Sequence, residues 1–131
     1  NDDGIGSLRF AIAQCSNPED YIYIAEFIDS IFLVSDTIIL DKNLSIFHSG
    51  NEKVVIQTTS SSPVFKTNPG VLITLNNIEI HSGGVASSKA LLNNGNTILW
   101  NVDIINSIPG EIPVMNTGIL EISETVQIKN Q

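Results

Sequence analysis

The feature that most restricts how this chain can fold is a stretch that returns twice. Gly70–Ile80 (GVLITLNNIEI), Gly95–Ile104 (GNTILWNVDI) and Gly118–Ile128 (GILEISETVQI) share one pattern. Ile80, Ile104 and Ile128 lie 24 residues apart, as do Ile78, Val102 and Val126, with Asn77, Asn101 and Thr125 just before them. A unit of this length, alternating with period two and lacking a helical period, cannot bury its apolar face alone. Stacking such units makes a shared interior. The expected fold is therefore all-β: a single-stranded parallel β-helix, a solenoid of ~24 residues per coil in which equivalent strands pair in parallel.

Within the first copy, Ile73, Leu75, Ile78 and Ile80 are expected inward and Thr74 and Glu79 outward. Asn76-Asn77 breaks the alternation where a coil must bend. Thr97, Leu99, Val102 and Ile104 repeat the plan, and the third copy carries one additional residue at the bend, so Leu120 and Ile122 take the inward places. Asn94-Gly95 falls at a repeat boundary, where the chain turns a corner. Asn77 and Asn101 are expected to stack and hydrogen-bond along the coil axis, with Thr125 continuing the column by a hydroxyl. At ~25 cal/mol per Å² of buried apolar surface, the aliphatic columns supply the main stabilisation.

Residues 1–20 read as an N-terminal cap and residues 21–131 as β-helix coils. Ser7 is a candidate N-cap, and Leu8, Ala11, Ile12 and Cys15 follow at helical spacing until Asn17-Pro18 stops the helix. This short α-helix is expected to cover the open end of the first coil. Beyond it come short strands at Ile22–Ile24, Ile31–Leu33, Thr37–Leu40, Leu44–Ile46, Val54–Ile56 and Val64–Phe65.

Of the 131 residues, 42% are hydrophobic and 15% charged, too apolar a balance for disorder. Six basic residues against fourteen acidic ones leave a net charge of −8, which argues against nucleic-acid partners and anionic lipid. Cys15 is the single cysteine, so no internal disulfide forms, and it is expected to pack as a small hydrophobe. No apolar run reaches the ~18 residues of a membrane span. The chain has no basic-then-apolar leader at its start, so it is read as either not exported or already processed, and as a fragment of a longer protein.

The heptapeptide Gly6-Ser-Leu-Arg-Phe-Ala-Ile12 resembles the G-S-L-R-x-A-I signature that opens right-handed parallel β-helix domains of pectate-lyase-like architecture in bacterial autotransporter-like and polymorphic outer-membrane proteins. Asp36–Ile46, Val54–Ile56, Val64-Phe65 and the Gly70–Ile80 unit follow the same plan, so the resemblance spans residues 3 to 128. It implies an exported protein, extracellular or at the cell surface, in which the solenoid is a rigid stalk or adhesive segment without catalysis. A fragment of a carbohydrate-active enzyme whose catalytic coils lie elsewhere is the alternative, and a folding cap for a larger passenger is a third. Arg9 within the signature is read as structural, paired with Asp2, Asp3 or Glu19.

Chemistry is sparse in this sequence. Glu79 and Asp103 are expected outward on adjacent coils ~4.8 Å apart, close to the ~5–5.5 Å of a retaining glycosidase pair. Their next neighbour in the column is Gln127, His81 is assigned to the opposite face from Glu79, and the only arginine, Arg9, lies in the cap. They are therefore read as solvated surface carboxylates, with no enzyme activity. Asp2-Asp3-Gly4 lacks the acidic spacing of a calcium loop, so no metal and no cofactor is expected. Trp100 is the most suggestive binding residue: outward by alternation, it is placed either against a surface glycan or protein partner or over the loop Ser82–Lys89. The C-terminal coil is expected to expose apolar edges, meeting further coils of the same chain or a second molecule.

Overall fold

The computed structural model describes residues 7–15, 20–33, 37–58, 61–83, 89–106, 108, 112–123 and 125–130. A short helix, α1 (Leu8–Gln14), comes first. Strands β1 (Asp20–Ile24), β2 (Ser30–Leu33), β3 (Ile38–Leu40), β4 (Leu44–His48), β5 (Val54–Thr58) and β6 (Phe65–Thr67) follow. Then come β7 (Leu72–His81), β8 (Leu91–Asn93), β9 (Asn96–Asn106), β10 (Val114–Asn116), β11 (Ile119–Ile122) and β12 (Gln127–Asn130).

The strands pair in parallel and stack as a β-solenoid of about 4 turns, with equivalent residues about 24 apart. Three walls result. The first holds β1, β4, the N-terminal part of β7, the N-terminal part of β9, and β11. The second holds β2, β5, the remainder of β7 and β9, and β12. The third is a separate sheet in the order β3-β6-β8-β10.

The sequence columns fall where the repeat puts them. Ile80 faces Ile104, which faces Ile128, and Ile78 faces Val102. Ile73, Leu75, Ile78, Ile80, Thr97, Leu99, Val102 and Ile104 are fully buried. Leu120 and Ile122 sit opposite Thr97 and Leu99, as the extra residue in the third copy requires. Ile128 departs from expectation. It keeps its register over Ile104, yet it is 38% exposed, because among the described residues nothing stacks over the last coil. Ile122, in register with buried Leu99, is exposed for the same reason, whereas Ile119 is exposed because it continues the outward Leu72–Asn96 column.

The bend is sharper than alternation alone conveys. Asn77, Asn101 and Thr125 have φ of 62°, 53° and 57°, the left-handed region. Asparagine tolerates it because its short side chain hydrogen-bonds locally, whereas a β-branched residue is strained there. β7 and β9 thus continue around the corner as single strands. In the coil below, the loop 49–53 separates β4 from β5, and the first-wall offset grows accordingly from 24 residues (Tyr23 to Phe47) to 29 (Phe47 to Asn76). The Asn94-Gly95 corner leaves no room for a Cβ, which at Gly95 would meet the carbonyl oxygens of Asn68 and Val71.

At the other end, Ser7 caps α1, its Oγ accepting from the Phe10 amide at 3.1 Å. Leu8 and Ile12 join the common apolar cluster, so the helix seals the first coil. Cys15 packs against that cluster, its Sγ 3.5 Å from the Ala11 carbonyl oxygen. Burial pushes its thiol above the ordinary range, Asp20 adds to the shift and Lys42 opposes it.

Candidate functional site

Aliphatic side chains fill the interior, and of the aromatics only Phe65 is fully buried. Tyr21, Tyr23, Phe27, Phe32 and Trp100 are exposed. Large rings are normally the most profitable residues to bury. Their position outside is the first sign of a recognition surface.

The rings concentrate on the first wall. Register places Tyr23, Phe47, Asn76 and Trp100 in one outward column, one per coil. Tyr21, Ser45, Thr74 and Ile98 form the column beside it. Tyr21, Tyr23 and Phe47 make a triangle with centroids 5.6–6.2 Å apart and planes 24–27° from parallel. At that separation the rings are offset and do not cover one another, which leaves Tyr21 60% and Tyr23 69% exposed. Trp100 is 45% exposed at the far end of the column.

Beside the triangle runs a groove of about 210 Å³ lined by Tyr21, Asn43, Leu44, Ser45, Leu72 and Thr74. It shares Asn43 and Leu72 with a second depression of about 400 Å³ that passes Gly70, Asn94, Gly95, Asn96 and Gly118 to Ile119. Asn43 is held in place there, its Oδ1 accepting the Leu72 amide at 2.8 Å. The Oδ1 of Asn96 is buried without a hydrogen-bond partner.

The second wall is different in character. Glu79 and Asp103 are paired in register on its outward side, and Gln127 follows. His81 belongs to the same face as Glu79, contrary to the sequence reading, because residues two apart on a strand point the same way. Its Nε2 lies 3.3 Å from Glu79 Oε1, within ion-pair range but without hydrogen-bond geometry. Lys53, two coils below, reaches Asp103 at 3.4 Å. The carboxylates are therefore not simply solvated. Each has a basic neighbour, and all four side chains are at most about a quarter exposed.

Arg9 donates from Nη1 to the Thr37 carbonyl oxygen at 3.2 Å, tying the cap to the start of β3. Its expected partners Asp2, Asp3 and Glu19 lie outside the described residues, as does the Asp2-Asp3-Gly4 turn. The loop proposed to underlie Trp100 is described only at Ser82, Gly83 and Lys89.

The asparagine ladder is present. Asn101 Nδ2 donates to Asn77 Oδ1 at 3.0 Å, and Asn77 Nδ2 lies 3.1, 2.8 and 3.3 Å from the carbonyl oxygens of His48, Gly50 and Glu52. Sequence reading missed a second polar node. Fully buried Asn93 donates to Asn116 Oδ1 and the Ile119 carbonyl oxygen, both at 2.8 Å, and accepts from Thr97 Oγ1 at 2.8 Å. The shared Asn-x-Gly of Asn93–Gly95 and Asn116–Gly118 was its available signal. Tyr21, Tyr23 and Phe47 were also missed, although alternation in β1 and β4 places all three outward.

Among the described residues no cluster of three His, Cys, Asp or Glu side chains suits a metal ion, and no helix is long and apolar enough to cross a membrane. No protein-family model, curated protein or solved structure matches the chain.

Proposed function

We propose that this chain is a non-catalytic structural and adhesive segment of an exported, bacterial cell-surface β-solenoid protein. The observation that carries the reading is the inversion of the usual aromatic distribution: aliphatic columns close the interior, while Tyr21, Tyr23, Phe32 and Trp100 stand on the outside of a stacked scaffold. A closed core resists deformation, and rings on a firm support are the groups through which surfaces most often bind partners. The Gly6–Ile12 heptapeptide supports membership of the pectate-lyase-like, autotransporter-type surface proteins and hence an extracellular place. The partner is a surface glycan or another protein.

Beads coated with the full chain should adhere to intact host cells. Proteinase added to intact producing cells should remove the parent protein without lysis. Adhesion no better than for uncoated beads, together with protection from the proteinase, overturns the reading.

One observation favours a second reading, a carbohydrate-active enzyme fragment: Glu79 and Asp103 sit side by side with His81 and Lys53 in contact. Carboxylates so placed are the minimum for glycoside hydrolysis. New reducing ends released from polysaccharide by the wild type and not by Glu79→Gln would establish it.

A further inference from the structure

Among the described residues, the charged side chains avoid the outward strand positions of one face almost entirely. Along the first wall, from Tyr21 to Trp100, the outward strand positions are Tyr, Tyr, Ser, Phe, Leu, Thr, Asn, Asn, Ile and Trp. Glu121, in the last coil, is the first charge on that side. The second wall carries Glu79, His81 and Asp103 at equivalent outward positions. Asp20 also belongs to β1 but stands in register with inward Leu44. In a protein of net charge −8, outward strand positions that hold four rings and no charge from Tyr21 to Trp100 select their ligand by what they lack.

We propose that this wall binds an uncharged glycan chain laid along the coil axis. Tyr21, Tyr23 and Phe47 stack on sugar faces at one end and Trp100 at the other. The column from Tyr23 to Trp100 crosses three strand spacings, ~14 Å in all, enough for several sugar units. Aromatic rings take the apolar face of a sugar ring, and amides and hydroxyls take its hydroxyl groups. The groove beside Tyr21 supplies the second kind of group through Asn43, Ser45 and Thr74. Asn96 lines the adjoining depression with Asn94 and adds amides of the same kind. An acidic polysaccharide finds no cation among the described strand positions of this wall and meets the repulsion of a negatively charged protein.

The inference rests on the adhesive reading and narrows it to one ligand class. The test is affinity electrophoresis of the full chain in gels containing hydroxyethylcellulose, galactomannan or dextran, against gels containing polygalacturonate or heparin, run beside the bead-adhesion assay. Retardation is expected in at least one uncharged gel and in neither acidic gel. Tyr23→Ala and Trp100→Ala should each weaken it about tenfold, while the thermal midpoint stays within about 2 °C because the rings are exposed. Thr74→Asp should weaken it as well, by placing a charge between the ring groups. Retardation confined to the acidic gels, or retardation unchanged in all three variants, overturns the proposal. Beads that adhere while no uncharged gel retards the chain overturn it too and leave the adhesive reading standing. Failure of both assays removes the two together.

Discussion

Asn101 stands one coil above Asn77 and gives its side-chain amide to Asn77 Oδ1 at 3.0 Å, both residues having positive φ. The ladder ends below at the end of β4 and in the loop 49–53, where the Asn77 amide meets the main-chain oxygens of His48, Gly50 and Glu52. His48 strengthens that loop through its Nδ1, 2.8 Å from the Glu52 carbonyl oxygen. One asparagine therefore makes the bend and closes the irregular loop beneath it.

Asn77→Ala should be among the most damaging single changes, because it loses the amide and forces a Cβ-bearing residue without local hydrogen bonding into the left-handed region. A cost of about 3 kcal/mol is expected from unsatisfied carbonyls plus strain. Asn77→Gly keeps the backbone conformation and should cost less. Urea titration of both variants checks the order, and equal losses would show that the backbone term is negligible.

Asn93→Ala should destabilise by about 2–4 kcal/mol, since it removes a fully buried side chain, leaves the buried Gly95 amide without its Oδ1 acceptor at 3.2 Å, and leaves the Thr97 hydroxyl only its bond to Thr67. Asn116→Ala, removing an exposed partner, should cost under about 1 kcal/mol. Comparable midpoints for the two variants would contradict the role given to Asn93.

Ile104→Asp should unfold the upper coils, with a loss above about 4 kcal/mol, because it puts an unpaired charge at a fully buried position. Ile128→Asp, one coil on in the same column, should cost about 1 kcal/mol. Circular dichroism melts of the pair measure the difference, and a wild-type melt for Ile104→Asp would remove that residue from the interior.

Thr125→Asn should raise stability by about 1 kcal/mol. It relieves a β-branched residue at φ 57° and gives the last rung of the ladder an amide. Slower amide exchange in β12 is the expected readout.

The Cys15 thiol is raised chiefly by desolvation and secondarily by Asp20. The folded chain therefore holds this proton more tightly than the unfolded one. Its contribution to stability is complete below the unfolded-chain value and is lost as pH rises through the folded one. The difference in melting midpoint between wild type and Cys15→Ala should shift against the wild type above about pH 8.5. Iodoacetamide should alkylate the native thiol more slowly than free cysteine, and equal rates would show that the thiol is not desolvated.

Much of the fold was legible because the strict repeat begins at Gly70. A constant offset of 24 residues makes each coil's neighbours computable from position, so Ile80, Ile104 and Asn101 could be placed from the sequence. Alternation also oriented Trp100, and misapplied alternation misplaced His81. The lower coils were harder to read. There the offset shifts from 24 to 29 as loop 49–53 is accommodated, and no single period announces which residues meet.

The sequence by itself determined the stacking, because aliphatic columns in phase have only one way to leave water together. Which residues became neighbours across coils of unequal length was decided by the tertiary structure alone. Lys53 reaches Asp103, fifty positions away, and Tyr21 meets Phe47 on a diagonal, because loops of different lengths are absorbed at the corners while the strands keep their register. That accommodation gathers Tyr21, Tyr23, Phe47 and Trp100 on one wall and Glu79, His81 and Asp103 on the next.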